Sequence, residues 1–143
     1  MATRLLKIAV AYMMIGVTTG LVMGLTHRFQ YAPVHAHLNL LGWASLGLAS
    51  LIYHLYPHAA KTWLARCHFW LHNLGLPVFM LGLFALLSGD AAAQPVVGIG
   101  ATVTYLGVLS FVINVMRTVG PGNAAAEPPV GGDRLVPHIA EWK

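Results

Sequence analysis

The sequence predicts an all-α membrane protein with four transmembrane helices, and two observations carry that prediction. Of its 143 residues 57% are hydrophobic and only 8% charged, with a mean hydropathy of +0.69, far from the balance of an ordinary globular chain. The apolar residues fall in runs at 5–25, 34–56, 64–88 and 95–117, each reaching the roughly 20 residues that a helix needs to cross the hydrocarbon. Unbroken runs favour helices over the alternating strands of a barrel, because lipid offers a backbone no partner outside its own segment.

The first run opens beside Arg4 and Lys7. Its apolar stretch is long and no small-residue cleavage site follows, so it reads as a retained span and not as a signal peptide. A short connection holding His27 and Arg28 leads to the second run, which opens on Val34-His35-Ala36-His37 and ends at Tyr56. Lys61 and Arg66 occupy the second connection, Pro77 interrupts the backbone hydrogen bonding of the third run, and Asp90 stands in the third connection. Arg117 closes the fourth run. The basic residues gather on one side, so the positive-inside bias places both termini in the cytoplasm of a cell inner membrane and His35 and His37 near the outer face. One four-helix domain is expected over residues 1–117, and the Gly-, Pro- and Ala-rich residues 118–143 are expected to form a cytoplasmic tail.

The formal net charge of +4 comes from residues scattered over membrane ends. They form no basic stripe, which excludes a nucleic-acid partner. Cys67 is the sole cysteine, so there is neither a disulfide framework nor a CxxC metal motif.

Histidines are the candidate functional residues. His35 and His37 form an ionisable pair at the start of an apolar run, where such groups are functional-site hypotheses by default. Two residues apart on a helix, their rings point about 200° apart and cannot grip one metal together. Two readings stand at this point: an interfacial pair bonded to water, headgroups or carbonyls, or ligands serving two different sites. Asn39 lies one turn from His35, placed either to hold a ligand ring or to pack helices. His27 is a reserve ligand in the outer connection. His68 and His72 are four apart and share a helix face, as a second copper or zinc site or as structural groups.

Three segments in order, HAHLNLLGW (35–43), LIYHLYP (51–57) and ARCHFWLHNLGLPVFMLGLFALLSG (65–89), resemble helices ten and eleven of subunit I of the haem-copper oxidases, in particular the cbb-type and nitric-oxide-reductase branch. The other two runs match that family by hydropathy only. The resemblance implies haem b as cofactor, with copper as a second candidate. It matches His35 to the ligand of the high-spin haem and His37 to the ligand of the low-spin haem. Arg28, in the same outer connection, is placed either to pair with haem propionates by charge-assisted bonds or to stand as an ordinary interfacial arginine. The family's copper ligands, redox tyrosine and second low-spin ligand lie in helices without a counterpart in this chain.

Subunit I is built from three arcs of four helices about a pseudo-threefold axis, and this chain has the length of one arc. The resemblance therefore implies a homotrimer in which His37 of one protomer faces His35 of the next, with a haem at each interface. Three functions follow from it: electron transfer or diatomic gas binding supplied by a respiratory-chain electron donor; a trimeric oxygen or nitric oxide reductase with an added metal; or a helper that inserts haem or copper into a larger enzyme.

Overall fold

A computed structural model describes residues 1–120. Four helices, each long and apolar enough to cross a membrane, account for nearly all of them: α1 (Ala2–Thr26), α2 (Phe29–Leu55), α3 (Trp63–Leu87) and α4 (Ala91–Thr118). There is no strand among the described residues, and the chain is a four-helix, multi-pass membrane protein. The tail expected beyond residue 120 lies outside the described residues.

Local signals set the starts of α2, α3 and α4 and the end of α1. The carbonyl-side end of α1 is closed by His27 in the left-handed conformation (φ 54°), and the chain turns at once into α2. That helix begins five residues ahead of the apolar run, because a 3₁₀ turn at Phe29–Tyr31 and Pro33 in the next turn preset it. Thr62 caps α3 by accepting the Ala65 N–H at 3.0 Å, and Asp90 caps the turn entering α4 by accepting the Ala92 N–H at 3.0 Å. Pro77 is accommodated inside α3, which runs unbroken to Leu87.

The helices pack as two antiparallel hairpins, α1 with α2 and α3 with α4, the second being the more extensive contact. Small residues bring α3 and α4 together: a Cβ added at Gly107 would stand 2.7 Å from the His72 nitrogen, and one at Gly75 would stand 2.6 Å from that of Thr104. Close backbone approach is the usual source of helix affinity in lipid, where burial of apolar surface offers little. One core cluster joins Leu5, Ala9, Leu46, Ala49, Tyr53 and Ala65 at the end where α1 begins. A second joins Val34, Leu38, Leu76 and Met80 toward the opposite end. A cleft runs between α1 and α3, with Val34 and Leu38 of α2 at its floor.

Within α2 the winding changes. Residues 38–45, immediately after His37, form a π-helix, a wide turn found often at functional sites. Two of its carbonyls are bonded by side chains: Leu40 O accepts from the Ser45 hydroxyl at 2.8 Å, and Leu41 O accepts from His72 Nε2–H at 3.1 Å.

Candidate functional site

His35 and His37 sit on the last turn of ordinary α-helix before the π stretch, and they turn to different neighbours. His35, half-buried, lies against α1, where its Nδ1 is 2.8 Å from the carbonyl oxygen of Gly16. A carbonyl only accepts, so Nδ1 carries a proton, and in the neutral imidazole Nε2 is then the bare lone pair. The ring occupies the space over Gly20, where an added Cβ would come within 2.7 Å of its Cε1.

His37 faces the other way. Its Nδ1 is 2.7 Å from the Pro33 carbonyl one turn earlier, and its ring stands edge-on to Phe79 of α3 with centroids 5.0 Å apart. The same reasoning fixes its tautomer: Nδ1–H donates to the carbonyl and Nε2 is left as an acceptor. Each imidazole is thus held by a backbone oxygen through one nitrogen and offers the other, the arrangement that orients histidines toward iron or another metal.

Asn39 supports this pair through the backbone. Its Nδ2 donates to the His35 carbonyl at 2.8 Å, while the 3.4 Å approach to His35 Nδ1 joins two donors and adds no bond. The amide lies over Gly16, where an added Cβ would meet it at 2.5 Å. Glycines one turn apart on α1 therefore seat both side chains.

The remaining candidates lie elsewhere. Arg28 is exposed at the mouth of the cleft between α1 and α3, a cleft lined by neither His35 nor His37. His27 is exposed, its ring 6.2 Å from that of Phe29. His68 and His72 are buried among α2, α3 and α4, with ring centroids 5.4 Å apart. His68 Nδ1 pairs with the Tyr53 hydroxyl at 3.2 Å, and His72 Nδ1 is buried without a hydrogen-bond partner. His54 and His58, at the same i, i+4 spacing, are exposed. Among the described residues no three His, Cys, Asp or Glu side chains gather where they could hold a metal ion. Sequence reasoning did not anticipate Gly16, Gly20 or the Leu41 carbonyl. The spacing of Gly16, Gly20 and Gly24 was a legible small-residue pattern, whereas nothing local announced the carbonyl.

The chain is similar to cytochrome c oxidase subunit 1 of Thermostichus vulcanus. The two are 29% identical over 139 residues, which cover 82% of this chain and 25% of that protein. The chain thus spans about a quarter of the length of the curated relative it matches. No protein-family model matches the chain, and no solved structure matches it. The similarity points to a relationship with subunit I of the haem-copper oxidases, without distinguishing among its branches.

Proposed function

We propose that this chain is a haem b-binding membrane protein related to haem-copper oxidase subunit I, acting in electron transfer or in binding a diatomic gas. One observation carries the reading: on opposite faces of α2, His35 and His37 each have Nδ1 tied to a backbone carbonyl, which leaves Nε2 as the bare nitrogen of the neutral ring. Such imidazoles fit haem iron, and the kinship with a cytochrome c oxidase subunit supports haem over other metals.

The two rings face different neighbours, so a single protomer supplies one axial nitrogen to any one iron. In a homotrimer, His37 of one protomer and His35 of the next would together hold a shared haem and supply the second ligand. Bis-imidazole ligation makes haem six-coordinate and low-spin, suited to carrying single electrons. Asn39, Gly16 and Gly20 keep the His35 ring at a fixed angle. Were one histidine to ligate alone, an iron position would open to oxygen, nitric oxide or carbon monoxide, and the reductase reading would then need a second metal. Copper would draw its ligands from more than one copy, since no three-residue set is gathered among the described residues.

The test is a reduced-minus-oxidised spectrum of the purified protein with its haem-to-protein ratio, repeated with carbon monoxide and on His35→Ala and His37→Ala. Near-stoichiometric haem, indifferent to carbon monoxide and lost in either variant, is the expected result. A carbon monoxide shift would move the function to gas chemistry. Absence of haem would leave a haem- or copper-handling helper.

A further inference from the structure

A cleft lies between α1 and α3, and the histidine site does not use it. Its outer section encloses about 780 Å³ and continues into an inner section of about 560 Å³, the two sharing Ile15, Thr19 and Phe84. Met14, Val22 and Met23 complete its apolar wall. Two of its three threonines add little polarity, because Thr19 and Thr26 spend their hydroxyl protons on the carbonyls of Ile15 and Val22, at 2.8 and 2.7 Å, and Thr18 is the third.

The mouth is different in kind. Arg28 and Tyr31 stand there, and the Tyr31 hydroxyl shares a hydrogen bond of 3.0 Å with Ser88. Asp90 is the one carboxylate within residues 1–120, and it is engaged in capping the turn before α4. No ion pair to Arg28 forms among the described residues, so the mouth presents a cation to whatever fills the cleft. A site with an apolar body and a cationic rim calls for an amphiphile with an anionic head.

Dimensions choose among amphiphiles and helices. The wall of the outer section from Met14 to Thr26 rises about 18 Å along α1, close to the roughly 15 Å depth of one leaflet. A helix, about 10–12 Å across with its side chains, brings no anionic group of its own to Arg28. An acyl chain is far narrower. We propose that the cleft between α1 and α3 is a binding site for an anionic phospholipid, one acyl chain lying along Met23, Thr19 and Ile15 and the headgroup phosphate paired with Arg28.

The test is native mass spectrometry of the delipidated full-length protein titrated with palmitoyl-oleoyl phosphatidylglycerol and, separately, with the phosphatidylcholine of identical chains. One adduct is expected, with about a fivefold preference for phosphatidylglycerol, the effect of one basic residue near an anionic headgroup. Arg28→Gln should abolish the preference while leaving the chain binding, Thr19→Trp should plug the cleft and abolish both adducts, and Arg117→Gln, at the opposite end, should change neither. Equal binding of the two lipids, or a preference that survives Arg28→Gln, overturns the proposal. So does added haem b displacing the lipid, which would give the cleft to haem, or a dimer lost in Thr19→Trp, which would give it to a second copy.

Discussion

The imidazole of His72 in α3 donates from Nε2 to the carbonyl oxygen of Leu41 in the π-helical part of α2, at 3.1 Å. This bond ties the most extensively packed hairpin to the segment that follows His35 and His37. It also explains why a fully buried polar ring stands at that level of α3: the wide turn presents a carbonyl toward the neighbouring helix, and a buried oxygen left unbonded would be costly. His72→Ala removes the donor and leaves a cavity, and should cost about 2 to 5 kcal/mol. His72→Gln keeps an N–H and should recover part of it. Thermal unfolding in detergent checks both.

The packing of α3 on α4 gives a second expectation. A Cβ at Gly107 meets the His72 backbone at 2.7 Å, whereas one at Gly98 on the same helix meets nothing within 4 Å. Gly107→Ala should destabilise by about 1 to 3 kcal/mol, the usual cost of overpacking. Gly98→Ala should be neutral or slightly stabilising, because alanine is the better helix former. Equal effects in a denaturation series would show that backbone proximity does not hold this hairpin.

Much of this architecture is legible in the sequence. The four spans follow from apolar run length, since in lipid an unbroken apolar run satisfies its backbone as a helix, and the helices extend furthest past those runs at the starts of α2 and α4, where Pro33 and Asp90 set an earlier start. His35 and His37 stand out as ionisable groups in an apolar run. Their tautomers do not, because these depend on where Gly16 O lies on another helix. The same holds for the inner histidines: the i, i+4 spacing is shared by His54 with His58 and by His68 with His72, yet only the second pair is buried. Pro57 and the end of α2 separate the first pair, while the second finds Tyr53 and Leu41 as partners. The π stretch had no local signature at all.

Gly20 tests the seating of His35. A methyl group there would come within 2.7 Å of the ring's Cε1 and 2.9 Å of Nδ1, pushing the ring from α1 and breaking its bond to Gly16. Gly20→Ala should weaken haem retention by about 10- to 100-fold, the effect usual for partners that orient a ligand histidine. Gly24→Ala, where an added Cβ meets nothing within 4 Å, should retain haem like the unmodified protein. A haem titration with both variants decides.

Sidedness can be read from labelling. Arg4, Lys7, Lys61, Arg66 and Arg117 lie at the end of the bundle where α1 begins, against Arg28 at the other, so that end should face the cytoplasm. In a Cys67→Ser background, a cysteine at position 28 should react with a membrane-impermeant maleimide applied to intact spheroplasts, and one at position 61 should react only after lysis. The reverse pattern would invert the assigned orientation.

The shared-haem trimer makes a prediction that a haem held within one protomer does not. If each iron takes His37 from one copy and His35 from the next, His35→Ala and His37→Ala each eliminate every site when expressed alone. Co-expressed in equal amounts, they reassemble an intact pair wherever a copy retaining His37 precedes a copy retaining His35. In a closed ring of randomly mixed protomers that holds for about one interface in four. Haem content should therefore recover to about a quarter of the unmodified level. No recovery would place both ligands in one chain, and full haem in either variant alone would show that a single histidine suffices, leaving an iron position open to a gas.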